Sequence, residues 1–133
     1  MIVLDASAVF ELLLATTSGR AIALRISDPE ESLHCPHLLD IEVVQALRRS
    51  VRLRDIDVDV AAEAIDALRE LGAKRHLHEP LLRRVWALRE SFTAYDATYV
   101  ALAESLDATL LTCDAKLARA LPRGSRVDVE LVR

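Results

Sequence analysis

The sequence predicts an α/β fold, a three-layer sandwich in which a mainly parallel sheet of four or five strands is flanked by about seven helices. Short apolar runs of strand length alternate with longer segments whose apolar residues recur at helical spacing. Strands that alternate with helices form βαβ units, and these build a parallel sheet between two helical layers. The 133 residues contain no linker or repeat, so residues 1–133 are predicted to be a single domain.

The first half of the chain begins with a strand followed at once by a helix. Residues 2–4 are all apolar, which is typical of a strand buried on both faces, and Asp5 ends the run. Ser7 is suited to cap a helix over 8–15. Further along, proline, glycine and polar breaks predict a helix over 19–26, a strand over 32–35, and helices over 36–52 and 57–72.

The second half continues the alternation and places two acids after strands. It predicts a strand over 74–78, helices over 80–88 and 96–106, a strand over 109–112, a short helix over 114–121 and a last strand over 127–131. In sheets of this type, ligands bind in the crevice beyond the carboxyl ends of the strands. Asp5 and Asp114 each follow an apolar strand at that position.

The overall charge limits how the protein can bind nucleic acid. A formal net charge of −4 argues against an overall basic binding surface, and an aromatic content of 4% leaves few residues for stacking on bases. If the ligand is nucleic acid, bound metal ions and local arginine clusters must attract it. Such clusters are present, but a solvated helix face balanced by nearby acids is the favoured interpretation of them.

The cysteines and the N-terminus indicate the compartment. Cys35 and Cys113 lie far apart without the spacing of a zinc site, so we interpret them as small buried apolar residues. The N-terminus has no basic leader, and the most apolar stretch, 8–15, is far below the roughly 20 residues that span a bilayer. We therefore expect a cytoplasmic protein with no membrane association.

Four acids stand out by context: Asp5, Glu42, Asp96 and Asp114. Taken singly, each has an ordinary explanation, as a helix cap or a surface charge. Taken together, carboxylates at about 5–6 Å repel by about 3 kcal/mol per pair at an effective dielectric near 20, so a cluster of them requires divalent cations. Oxygen ligands without His or Cys favour Mg²⁺ or Mn²⁺. The chemistry that this indicates is phosphodiester hydrolysis.

The segments that carry these acids resemble, in order, the four motifs of PIN-domain proteins. They read Ile2-Val3-Leu4-Asp5-Ala6-Ser7-Ala8, Leu39-Asp40-Ile41-Glu42-Val43-Val44-Gln45-Ala46-Leu47, Tyr95-Asp96-Ala97 and Leu111-Thr112-Cys113-Asp114. By its length, and because it ends soon after the last motif, the chain resembles the VapC toxins of bacterial toxin–antitoxin pairs. The similarity covers nearly the whole chain.

The resemblance implies a Mg²⁺- or Mn²⁺-dependent endoribonuclease acting on structured RNA such as tRNA, inhibited by a VapB-type antitoxin and assembled as a homodimer. Asp5 and Asp96 would be direct metal ligands, with Glu42 and Asp114 acting through water. Two hydroxyl residues would orient the carboxylates: Ser7 and Thr112. For Ser7, a plain helix cap is an equally good interpretation.

The first helix offers a further surface, and two other sets of residues are left out of the site. The first helix is apolar on more than one face, through Val9, Phe10, Leu12, Leu13 and Leu14, which indicates either deep burial or a groove for an antitoxin helix. Asp40 lies nearly opposite Glu42 on a helix, so it is left out of the site. The four histidines offer no metal-binding pair tied to the acids.

Competing interpretations differ in what they require. A haloacid-dehalogenase-like phosphatase needs a second Asp where this chain has Ser7, and a receiver domain needs adjacent acids after the first strand. A PIN-like module that binds RNA or protein without cleaving remains the main alternative, although the presence of all four acids counts against it. DNA also remains open as a substrate, because this chemistry does not require the 2′-hydroxyl.

Overall fold

The computed structural model describes residues 1–133. In chain order its elements are β1 (Ile2–Leu4), α1 (Ala6–Leu13), α2 (Thr17–Arg25), β2 (Leu33–Pro36), α3 (Leu38–Arg52), α4 (Val58–Glu70), β3 (Lys74–His76), α5 (Leu82–Ala87), α6 (Ala94–Leu106), β4 (Thr109–Thr112), α7 (Ala115–Arg119) and β5 (Val129–Leu131). A 3₁₀ turn, Glu79–Leu81, precedes α5. The predicted alternation of strands and helices is confirmed.

The five strands form one parallel sheet in the order β3-β2-β1-β4-β5. Starting from β1, the chain adds β2 and β3 on one side and then returns to add β4 and β5 on the other. The order therefore reverses between β1 and β4. At such a switch point the helices diverge to opposite faces and leave a crevice at the carboxyl ends of the two central strands.

The helices cover both faces of the sheet because crossovers between parallel strands are right-handed. The steps from β1 to β3 place α1–α4 on one face, and the return from β3 to β4 places α5 and α6 on the other. Contacts agree with this division, since α1 packs on α3 while α6 packs on α5 and on β1, β2 and β4. All three residues of β1 are fully buried, as the apolar run predicts.

Several helix starts differ from the prediction, and two of these differences concern candidate site residues. Helix α1 begins at Ala6, so Ser7 lies inside its first turn and the prediction that Ser7 caps this helix is wrong. The residue at the N-cap position is Asp5, whose side chain makes no capping bond because it is engaged elsewhere. Helix α6 begins at Ala94 with Thr93 as its cap, which makes Asp96 the third helical residue and not the first.

The corner between α1 and α2 is unusually tight. A Cβ atom at Gly19 would lie 1.9 Å from the carbonyl oxygen of Glu11, so only glycine fits there. The hydroxyl of Thr16 accepts from the Gly19 amide and starts α2 earlier than predicted. No single helix is long and apolar enough to cross a membrane; α1 and α2 meet those criteria only when joined across their 107° bend.

Candidate active site

The crevice at the switch point contains Asp5 and Asp114. Asp5 directly follows β1, and Asp114 follows β4 after one intervening residue. Asp96 in the first turn of α6 and Glu42 in α3 approach from the two helical layers. The acids are close enough for their charges to interact: burial raises the pKa of Glu42 and of Asp96 most, and the charges of Asp5 and Asp96 add to the rise at Glu42, as those of Asp5 and Asp114 do at Asp96. The fold therefore brings all four acids together.

Asp5 is held by two hydroxyl groups. Its Oδ2 accepts hydrogen bonds from Ser7 Oγ at 2.5 Å and from Thr112 Oγ1 at 2.7 Å. The same hydroxyl oxygens accept from the backbone amides of Cys113 and Asp114, at 3.0 and 2.9 Å. These contacts join β1, α1 and β4 at the crevice and fix the Asp5 carboxylate, leaving its Oδ1 without a protein donor.

Asp114 serves as a helix cap and a crevice residue at once. Its Oδ1 accepts from the amides of Lys116 at 2.7 Å and Leu117 at 3.3 Å, which confirms the ordinary interpretation as the N-cap of α7. Its other oxygen, Oδ2, accepts no hydrogen bond within the protein. Capping occupies one oxygen only, so it does not exclude a second role.

Glu42 is paired with a residue that the sequence analysis did not single out. The hydroxyl of Tyr99, a fully buried residue of α6, donates a short hydrogen bond to Glu42 Oε2. Tyr99 lies three residues after Asp96, on the same face of α6. The spacing from Asp96 is a sequence signal for Tyr99 as a site residue, but a tyrosine among apolar helical residues is typical of the protein core.

The electrostatics of the site are those of an acidic cluster without ion pairs. Burial is the main cause that raises the pKa of Glu42 and of Asp96, with neighbouring carboxylates adding to it. The hydrogen bond from Tyr99 lowers the pKa of Glu42 without cancelling the rise. None of the four acids has a Lys or Arg side-chain nitrogen within 4.0 Å, and a hydrogen bond to Thr93 together with the charge of Lys116 lowers the pKa of Asp96 without cancelling its rise.

Asp40 contrasts with this cluster on the same helix. Arg75 donates hydrogen bonds to both carboxylate oxygens of Asp40, from Nε at 2.7 Å and from Nη2 at 2.8 Å. Asp40 therefore faces away from the site, as expected from its position relative to Glu42. Arg84 is paired in the same way with Glu104. For these two arginines the ordinary interpretation, neutralisation by nearby acids, is correct.

The donor set suits a hard divalent cation. Its ligand atoms are carboxylate oxygens, three of the acids keep one oxygen free of protein donors, and none of the four forms an ion pair with a basic side chain. No three carboxylates converge on one point at metal-ligand distance. Mg²⁺ does not require this, because it is commonly bound through one or two carboxylates and retains several waters.

A cleft of about 520 Å³ opens beside Glu42. Arg49 lies on its wall two turns further along α3, and Tyr95 stands at its edge with 60% of its surface exposed. The guanidinium of Arg49 forms no ion pair with an acid. The cleft therefore joins a free positive charge and an exposed aromatic ring to the acidic site.

The histidines lie apart from the acids, as expected. His34 Nδ1 and His76 Nε2 are 2.9 Å apart, and the rings meet nearly end-on with centroids separated by 5.2 Å. End-on rings share one hydrogen bond and do not point their nitrogens at a common third atom. The pair links β2 to β3 and is not a metal site.

Comparison with known proteins settles the family. The model of the PIN domain matches residues 2–120. The chain belongs to the PIN-domain family. Ribonuclease VapC1 of Mycobacterium tuberculosis is 46% identical over 132 residues, covering 98% of this chain and 97% of the relative. The predicted resemblance to PIN domains and to VapC proteins is thus confirmed.

Solved structures show the same PIN fold. The structure of PAE2754 from Pyrobaculum aerophilum superposes with a TM-score of 0.72 and 26% identity, over 96% of this chain and 81% of that one. VapBC2 from Rickettsia felis, bound to a DNA fragment from its promoter, superposes with a TM-score of 0.72 and 14% identity over the full length of both chains. The three-layer fold predicted from sequence is confirmed.

Proposed function

We propose that this PIN domain is a Mg²⁺- or Mn²⁺-dependent endoribonuclease that hydrolyses phosphodiester bonds at Asp5, Glu42, Asp96 and Asp114. The observation that carries the proposal is the group of four acids at the switch point, none of which forms an ion pair with a Lys or Arg side chain. The relatives named as ribonucleases support RNA as the substrate.

Each side chain has a distinct task in this proposal. A bound divalent cation would neutralise the phosphodiester and activate a water. Asp5 and Asp96 would hold the cation directly, Asp5 through its free Oδ1. Glu42 and Asp114 would act through water, with Glu42 Oε1 and Asp114 Oδ2 accepting from water molecules and orienting the attacking one. Ser7 and Thr112 keep the Asp5 carboxylate in one orientation by donating to its other oxygen.

The substrate would be a structured RNA such as tRNA, bound along the cleft beside Glu42. Arg49 supplies a free positive charge there for the phosphate backbone. Brief induced expression followed by mapping of new 5′ ends would identify the RNA and the cleaved bond. Cuts spread over all RNA classes without preference would contradict a structured target.

The catalytic proposal is tested with a matched pair of variants. Wild-type protein should cleave RNA with Mg²⁺, lose activity in excess EDTA and regain it with Mg²⁺ or Mn²⁺. Asp5→Asn should lose cleavage. Asp40→Asn, which removes a charge that faces away from the site, should retain it. Equal cleavage by wild type and Asp5→Asn, or cleavage that EDTA leaves unchanged, overturns the mechanism. RNA binding without any cleavage would favour the non-catalytic module.

The second part of the proposal is a VapB-type antitoxin as partner. Along α1, Val9 is fully buried, so it is not available to a partner, but Phe10, Leu12 and Leu13 remain partly exposed. An apolar helix from the antitoxin would lie against these three side chains. Leu13→Asp should weaken antitoxin binding while the protein stays folded. Unchanged affinity in a folded Leu13→Asp protein removes this groove from consideration.

The third part is a homodimer built on the surface around α5. Leu82 and Trp86, both in α5, are each more than half exposed and line one surface depression. Large apolar groups exposed together indicate a surface that another protein covers. Trp86→Asp should convert a dimer to a monomer in sedimentation velocity at fixed protein concentration. A wild-type protein that sediments as a monomer at micromolar concentration rules the dimer out.

A further inference from the structure

The contact between Tyr99 and Glu42 joins helices that lie on opposite faces of the sheet. Tyr99 belongs to α6, on one face of the sheet, and Glu42 belongs to α3, on the other. Tyr99 is fully buried and its hydroxyl donates to Glu42 Oε2. The bond is therefore a fixed link between the two helical layers at the rim of the acidic site.

The type of donor matters as much as its position. A lysine or arginine here would neutralise Glu42 and compete with a metal ion for it, as Arg75 does at Asp40. A tyrosine hydroxyl satisfies one carboxylate oxygen and leaves the negative charge in place. A tyrosine hydroxyl carries its proton at neutral pH, so it remains a donor to the carboxylate.

We propose that Tyr99 is a positioning residue of the active site, which occupies Oε2 of Glu42 and thereby presents Oε1 alone to the metal ion or its bound water. The inference rests on the proposed function, because it assigns Tyr99 a role towards the metal. Asp5 shows the same design, with two hydroxyls on Oδ2 and Oδ1 left free. Glu42 is thus held in one orientation by a neutral donor.

A purely structural Tyr99 predicts a different behaviour. If the ring served only to fill the core, Phe would replace it at little cost to metal binding. If the hydroxyl positions Glu42, Phe keeps the ring and frees both carboxylate oxygens to rotate. The two possibilities therefore predict different affinities of Tyr99→Phe for the metal ion, measured with the metal alone and without RNA.

The chain offers a matched control, since Tyr95 and Tyr99 are its only two tyrosines. Mn²⁺ binding to full-length protein is measured by isothermal titration calorimetry for wild type, Tyr99→Phe and Tyr95→Phe. Tyr99→Phe should weaken Mn²⁺ binding by about tenfold, the usual scale when a hydrogen bond to a metal-site group is removed. Tyr95→Phe should match wild type, because the Tyr95 hydroxyl has no hydrogen-bond partner.

A second measurement does not depend on the stability of Tyr99→Phe. In Tyr95→Phe protein, Tyr99 is the only tyrosine, so ¹³Cζ-labelled tyrosine gives a single NMR signal from the carbon that bears its hydroxyl. Addition of Mg²⁺ should shift this signal in step with metal binding.

A third measurement uses a Glu42→Gln background. There, Tyr99→Phe should cause no further loss of Mn²⁺ affinity, since the two residues act through one bond.

The outcomes separate this inference from the function on which it rests. Absence of Mn²⁺ binding by wild type contradicts the proposed metal-dependent function, and with it any role of Tyr99 towards metal. Mn²⁺ binding by wild type with equal affinity in folded Tyr99→Phe overturns the positioning role alone. A Tyr99 signal that stays fixed while Mg²⁺ binds overturns it as well.

Discussion

Two regions of this molecule differ in whether their acidic residues have cationic partners. At the switch point, the acid pocket of Asp5, Glu42, Asp96 and Asp114 has no cationic partner within 4.0 Å. Near the amino ends of β1 and β2, acids are paired instead. The terminal ammonium of Met1 lies 2.8 Å from Glu31, and Arg25 lies 2.8 Å from Glu130 and 3.7 Å from Glu31.

The difference shows that the acid pocket is not a consequence of a shortage of bases. The chain has 17 Lys and Arg residues, and it places them beside acids elsewhere. The pKa values differ between the two regions in the same way. The hydrogen bond from the terminal ammonium is the main cause that lowers the pKa of Glu31, whereas burial is the main cause that raises the pKa of Glu42 and of Asp96. Carboxylate charge without an ion pair at one end of the sheet is a cost that a bound cation would offset.

The largest expected effect separates the two regions by activity. Asp96→Asn should reduce RNA cleavage at least about a hundredfold, because a loss of a few kcal/mol of charge stabilisation at the metal corresponds to that factor. Glu31→Gln removes a carboxylate charge from the paired region and should cleave like wild type. Initial rates at saturating Mg²⁺ provide the comparison. Similar losses in both variants would mean that the contrast has no functional meaning.

An intermediate effect separates two roles within the acid pocket. Asp114→Asn keeps a capping oxygen for the amides of α7 but loses the charge, so cleavage should fall while stability stays near that of wild type. Asp114→Ala should lose cleavage equally and also about 1 kcal/mol of unfolding free energy, the usual value of an N-cap. Urea denaturation measures the second quantity. Equal stability of the two variants would contradict the capping role.

The smallest effect concerns stability and has opposite signs in the two regions. The folded-state pKa of Glu42 is raised, so its charge destabilises the metal-free fold at neutral pH, and this penalty disappears as pH falls below the ordinary value of 4.5. Without metal, Glu42→Gln should therefore be more stable than wild type by about 0.5 kcal/mol at pH 7, a gain typical of relieving active-site strain. The gain should vanish near pH 4.

Glu31 gives the reverse case. Its folded-state pKa is lowered, so its charge contributes stability above the ordinary value, and that contribution is lost as pH falls through the lowered pKa. Glu31→Gln should be less stable than wild type at pH 7, and the deficit should close in acid. Thermal unfolding in EDTA from pH 4 to pH 7 tests both variants together. Shifts of the same sign would remove the electrostatic distinction between the regions.

The sequence predicted the fold closely and the boundaries of its elements less well. Apolar runs predicted β1 and β4, because a strand buried on both faces must be apolar throughout, whereas β3 and β5 are not apolar throughout and were predicted from alternation. The start of α1 was wrong by two residues, since Asp5 at the cap position gives no capping bond and its hydroxyl donors come from Ser7 and Thr112. Such cross-chain bonds leave no local pattern.

What the sequence alone determined is the alternation of strands and helices, and with it the position of Asp5 and Asp114 at strand ends, because strand ends in a parallel sheet share one rim. Glu42 and Asp96 required the resemblance to PIN domains, since a helical acid by itself resembles a surface charge or a cap. Only the tertiary structure decided that Tyr99 donates to Glu42 and that no basic side chain forms an ion pair with the four acids. Those facts depend on contacts between residues far apart in the chain, which local periodicity does not encode.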